Sequence, residues 1–212
     1  MAAPQRSPGI DVSHCQGPVD WDAAARAGIA FAFLKATEGV TGTDARFADN
    51  WAGAWEAGIV RGAYHFFSPT APVSAQIANF LETLRGYENG DLPPAIDLEE
   101  DLHDGHDRWD DVPLGARVGL AVEWLERVRQ LFGRPPIVYT RRSFVAAKLG
   151  NIAPLGRYPL WIAHYGVPAP AVPVAWSRWT FWQYTNRGKA AGVQGSVDCD
   201  WFAGSPASLR AL

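Results

Sequence analysis

Short apolar segments recur along the 212 residues, and a stretch of helical periodicity follows each of the first five. The candidate strands are 9–13 (GIDVS), 29–35 (IAFAFLK), 60–66 (VRGAYHF), 94–98 (PAIDL), 136–139 (PIVY), 160–163 (LWIA), 180–184 (TFWQY) and 196–198 (SVD). The helical stretches are 21–27, 46–57, 74–84, 114–132 and 143–149, with Trp51, Trp55 and Trp124 at core spacing. A chain that alternates strand and helix buries its strands in a parallel sheet, because each right-handed crossover returns it to the same end. Eight strands are enough for that sheet to close on itself. After 160–163 the connections change: one is proline-rich (VPAPAVPV) and the next is short and rich in glycine, so neither reads as a helix. The expected fold is α/β, a modified TIM-like barrel of five βα units followed by three β-strands, with the strand directions at the end undetermined. Residues 1–8 read as an N-terminal tail and 9–212 as a single barrel domain.

Composition narrows the function. Hydrophobic residues make up 48% and charged residues 19%, so the chain has the means to bury a core and is not disordered. Nineteen Lys and Arg against 22 Asp and Glu leave a net charge of −3, without the basic excess that neutralises phosphates, and nucleic acid is not expected as a partner. No apolar run approaches the roughly 20 residues that span a bilayer, and the opening MAAPQRSPG has no apolar signal core. Membrane attachment is therefore not expected. Two cysteines are too few for a disulfide framework or a cysteine metal cage. Ten tryptophans exceed what a core of this size needs, and flat amphipathic rings suit sugars, bases or a partner surface.

Polar residues collect where strands end: Asp11, Lys35, Glu38, Tyr64, His65, Asp97, Glu99, Tyr139, His164, Gln183 and Asp198. In barrels of this type the C-terminal strand ends converge on the active site. Asp97 and Glu99 are the sharpest pair, since residues two apart on a strand face the same side, about 6–7 Å apart along the backbone. Two such carboxyls repel, so one retains its proton and serves as an acid while the other stays ionised, the division that glycoside hydrolysis uses. The alternative is that Glu99, Glu100 and Asp101 begin a solvated acidic loop. Asp11 and Asp198 come from the first and last strands, which closure makes neighbours; each also suits a turn cap. His103 and His106 are the only close histidine pair, in a polar loop segment that makes a poor metal site. Trp161, Trp182, Tyr64, Tyr139 and Tyr165 fall at or near strand ends, where they either stack on sugars or pack with their polar atoms satisfied. Lys35 and Glu38 are a structural ion pair or substrate contacts. No G-x-S-x-G elbow, P-loop or dinucleotide fingerprint occurs.

Taken in order, DVSHCQGPVDW (11–21), FLKATEG (33–39), GAYHFF (62–67), AIDLEE (95–100), IVYT (137–140), LWIAHYG (160–166), FWQYT (181–185) and VDCDWF (197–202) resemble glycoside hydrolase family 25, the Chalaropsis-type lysozymes. The resemblance covers the chain from Ile10 to Phe202. It implies a five-βα, three-β barrel and an N-acetylmuramidase that cuts the β-1,4 bond from N-acetylmuramic acid to N-acetylglucosamine in peptidoglycan. By that resemblance Glu99 is the general acid/base and Asp97 its partner, with Asp11 and Asp198 completing the acidic rim. From their strand-end positions Tyr64, Tyr139, Trp161, Trp182, Lys35 and Glu38 are the expected substrate contacts, and neither metal nor cofactor is expected. The D-x-E arrangement is similar to that of hydrolases whose substrate acetamido oxygen attacks the anomeric carbon, with Asp97 polarising that group. Direct attack by Asp97 and water-mediated inversion remain alternatives.

The sequence departs from the family at Asp200, where asparagine is more usual, and Asp200 is assigned no role. Cys15 and Cys199 flank the expected closing seam, so a Cys15–Cys199 disulfide is an expectation. The chain is expected to be monomeric and to act on the bacterial cell wall, as a phage lysin released through a pore or as a mature secreted form. Two other readings compete: a sugar-binding barrel that keeps the fold and its tryptophans without catalysis, and a metal-dependent polysaccharide deacetylase.

Overall fold

The structure is a computed structural model that describes residues 5–212, and part of the expected tail, residues 1–4, lies outside them. Eight strands close a barrel: β1 (Ser7–Val12), β2 (Phe31–Glu38), β3 (Val60–Phe66), β4 (Ala95–Leu98), β5 (Ile137–Arg141), β6 (Leu160–Ala163), β7 (Phe181–Gly188) and β8 (Val197–Phe202). Strands β1 to β7 run parallel, each beside the next, and β8 lies antiparallel between β7 and β1. The turn from β7 to β8 is too short for a crossover, so it can only form a hairpin. The longer proline-rich segment 164–180 does carry the chain back to start β7 parallel to β6. Ser7 and Pro8, expected in the tail, are already paired with β8.

Helices α1 (Trp21–Arg26), α2 (Phe47–Glu56), α3 (Val73–Thr83) and α4 (Leu114–Phe132) follow the first four strands, and a helical turn, Arg142–Phe144, runs into a π-helical stretch, Val145–Leu149, after the fifth. The ends have local causes. Asp20 accepts a hydrogen bond from the Ala23 amide (2.8 Å) to open α1, and Gly133 closes α4 in the left-handed conformation (φ 68°). On α4 the residues Val118, Ala121, Trp124, Leu125 and Val128 recur at helical spacing and are buried against the barrel. Trp51 is buried as expected, whereas Trp55 is half-exposed and covers the Arg61 guanidinium at 4.8 Å. Among the described residues no helix is long and apolar enough to cross a membrane.

The period of two along each strand separates two cores. Ile10, Leu34, Ile96, Leu98, Val138, Leu160, Ile162 and Trp182 face the helices, while Phe31, Phe33, Ala95, Ile137, Tyr139, Trp161, Phe181 and Phe202 fill the barrel. Inside, Phe33 stacks on Trp161 at 4.1 Å, and Phe181 meets Phe31 and Phe202 edge-on or tilted at 5.1 Å. This aromatic plug blocks the lower barrel and leaves chemistry only to the upper rim. Gly9 on β1 makes room for it, since a Cβ there would lie 2.3 Å from the Phe31 ring. Neighbouring rings hold Phe31 in place, so Gly9→Ala is expected to destabilise the fold by about 1–3 kcal/mol, read as a lower midpoint in urea unfolding. An unchanged midpoint would mean that the plug can shift.

Candidate active site

The inward-facing residues at the tops of the strands are polar: Asp11 from β1, Lys35 from β2, Tyr64 from β3, Asp97 and the adjoining Glu99 from β4, Tyr139 from β5, Gln183 from β7, and Asp198 and Asp200 from β8. The outward neighbours His65 and Leu98 are fully buried among the helices. Asp11, Asp97, Glu99 and Asp198 all act on the Tyr64 phenol, which burial and these four negative groups push well above its ordinary pKa. The rim thus unites the first strand with the last, and Tyr64 remains a protonated donor at its centre.

Asp97 is buried, with Oδ1 unpaired. Burial, and then the Glu99 charge, raise its pKa well above the carboxylate range. Glu99 is less enclosed. Burial raises its pKa too, against the opposing pull of Arg141, and Glu100 and Asp198 push in the same direction as burial. The pair therefore keeps a proton at pH values where free carboxyls have lost theirs. The Trp109 indole donates to the Glu99 carbonyl (2.8 Å), which anchors the backbone just beyond β4. The feared acidic loop is a paired one: Glu100 bonds Arg141, and Asp101 accepts from Arg108 (2.6 Å). Arg141 carries no expectation from the sequence, although it is the next inward position after Ile137 and Tyr139.

Gln183 organises the other side. Its Nε2 donates to Asp11 Oδ2 (2.7 Å), while its Oε1 accepts from the Tyr139 hydroxyl (2.9 Å) and the Tyr165 hydroxyl (2.5 Å). Asp198 and Asp200 stand beside Asp11 from β8, and burial followed by those two charges raises its pKa well above the usual range. Burial likewise raises Asp198.

Several expected substrate contacts are corrected. Trp182 points outward, because its neighbours Phe181 and Gln183 take the inward positions; its indole donates to the His164 carbonyl (2.8 Å) and packs near Trp179. Trp161 faces inward but is only 2% exposed, part of the plug beneath the rim, with its indole donating to Asp200 (2.7 Å). Tyr139 is buried too, its hydroxyl spent on Gln183. Tyr64 and Tyr165 offer the accessible rings. The Cys15–Cys199 disulfide does not form. Cys199 stands opposite Ile10 and is buried facing the helices, whereas Cys15 lies beyond the end of β1 in an exposed 3-10 turn. His65 is structural, bonded to Thr37 (2.7 Å) and Gln76 (3.0 Å) and held near a pKa of about 4 by burial.

Beside the carboxyls a groove of about 490 Å³ extends from Lys35 and Glu38 past His14, Asp44 and Ser68 to His103 and Arg108. Lys35 Nζ pairs with Glu38 (2.7 Å) and lies over the Phe66 ring at 5.1 Å. A closed barrel whose upper rim gathers paired carboxyls beside an open groove is the arrangement that glycoside hydrolases use.

The family model "Glycosyl hydrolases family 25" matches residues 10–193, and the chain belongs to that family of lysozymes. The chain is 38% identical to Lysozyme M1 of Streptomyces globisporus, over 96% of its own length and 70% of that protein's. It is 31% identical to the N,O-diacetylmuramidase of a Chalaropsis species, over 90% of this chain and 95% of that one. The bacterial lysozyme of Streptomyces coelicolor superposes with a TM-score of 0.92 at 36% identity, covering 99% of this chain and 98% of the other.

Proposed function

We propose that this enzyme cleaves the β-1,4 bond between N-acetylmuramic acid and N-acetylglucosamine in bacterial peptidoglycan, with Glu99 as general acid/base and Asp97 assisting through the substrate's acetamido group. The observation that carries this reading is the Asp97–Glu99 pair at the top of β4, buried and raised in pKa. Glu99, the more accessible carboxyl, gives its proton to the leaving glycosidic oxygen. Asp97 Oδ1, buried without a partner, accepts from the acetamido N–H and orients its carbonyl oxygen toward the anomeric carbon. An acetamido-derived ring forms as the bond breaks, and water then opens it with Glu99 as base. Tyr64 donates to the reacting sugar. Asp11 and Asp198 hold the opposite edge, and Lys35 and Glu38 lead the glycan strand into the groove.

Purified peptidoglycan digested with the enzyme, reduced with borohydride and analysed by mass spectrometry tests the bond. Muramitol ends are expected. Glucosaminitol ends would move the cut to the other linkage, and polysaccharide binding without new ends would favour the non-catalytic barrel. Acetate release abolished by a chelator would favour the deacetylase; among the described residues no cluster of His, Cys, Asp and Glu is arranged to hold a metal ion.

A further inference from the structure

Asp200 has no part in the reaction as described, yet it is fully buried inside the barrel. Its Oδ1 accepts the Trp161 indole N–H (2.7 Å), and its Oδ2 is buried without a hydrogen-bond partner. It lies opposite Gly9 on β1 and Gln183 on β7, one inward position below Asp198, which puts it diagonally across from the inward-facing carboxyl of Asp11 on the paired strand. The polar and titratable groups around it are Asp11 on β1, Trp161 on β6, Gln183 and Tyr184 on β7, and Asp198 and Cys199 on its own strand. Among the described residues no lysine or arginine is salt-bridged to Asp11, Asp198 or Asp200; Lys35 pairs with Glu38 and Arg141 with Glu100. Two adjacent buried carboxyls without a cation can coexist only if one carries a proton and donates it to the other.

We propose that Asp200 is a positioning residue: Asp11 and Asp200 hold one proton between them, and that hydrogen bond fixes Asp11 against Gln183 beneath the reacting sugar. The role in turnover rests on the muramidase reading, whereas the shared proton does not. Gln183 also orders the Tyr139 and Tyr165 hydroxyls, so a displaced Asp11 would disturb one whole wall of the site. Burial holds Asp200 at a pKa of about 7, far above the ordinary 3.8. The unfolded chain releases this proton near its ordinary value and the folded chain keeps it until about pH 7. Its stabilising contribution is therefore complete in acid, declines as pH rises through that window, and changes no further above it.

Asp200→Asn tests both parts, because an amide donates to Asp11 at every pH and does not titrate. The melting temperature of Asp200→Asn minus that of the wild type is expected to grow by about 5 °C between pH 4 and pH 8. A difference that is flat with pH would overturn the shared proton. For turnover, Asp200→Ala is expected to lose about tenfold in kcat with KM little changed, and Asp200→Asn to recover most of that loss at pH 5.5. Equal kcat values for the Ala and Asn variants would overturn the positioning role. Absence of cleavage by the wild type would overturn the muramidase reading and the positioning role together, while the melting curves would still decide the proton.

Discussion

Glu99→Gln is expected to lower kcat on peptidoglycan about a thousandfold, within the range a lost general acid usually costs. The amide has the shape of the protonated carboxyl and can accept the same contacts, but it cannot release a proton to the leaving oxygen. The fold gives no reason for collapse. Glu99 is held through its carbonyl by Trp109, which the substitution leaves alone, and removing one of two repelling acids relieves Asp97. The variant should therefore melt no lower than the wild type and still bind glycan. Circular dichroism and binding to insoluble peptidoglycan accompany the rate measurement, and wild-type turnover in Glu99→Gln would sink the assignment.

Asp97→Asn is expected to cost about a hundredfold or more in kcat. Its carboxyl is buried with Oδ1 free, so when the proton of the pair sits on Glu99 the Asp97 charge acts at close range in a medium of low polarity, and an amide there withdraws the charge that polarises the acetamido group. The substrate separates the possible routes. If the acetamido oxygen is the nucleophile, wall material whose muramic acid is N-deacetylated should be cut at least a hundredfold more slowly by the wild-type enzyme. If Asp97 attacks directly, that material should be cut at nearly the normal rate, and added azide should yield a glycosyl azide from a variant with Asp97 shortened to alanine.

Much of this arrangement is legible from alternation alone. Asp97 and Glu99 flank an outward Leu98 on an apolar lead, and Asp11 follows Ile10 in the same way, so the sequence places these acids inside once the strands are recognised. The same parity test, applied to FWQYT, would have put Trp182 among the helices and Gln183 in the site, because the two alternate. Trp161 has the right parity but the wrong depth. How far a ring stands above the barrel floor depends on stagger between strands, which a single strand does not encode. The last strand, expected to end at Asp198, runs to Phe202 and carries Asp200, to which the sequence assigns no role, into the barrel. The disulfide failed for a related reason: nearness to a seam does not specify which face a side chain takes, and Cys199 and Cys15 take different surroundings.

The pairing of Asp11 with Asp198 joins strands from opposite ends of the sequence. The strands between them must fold and dock before the acidic rim exists, so a partly folded chain carries Asp97 and Glu99 but not their opposite wall. Contacts this distant in sequence form late and slowly. Closure of the barrel and completion of the acidic rim are thus one event, since both wait for the β7–β8 hairpin to dock on β1.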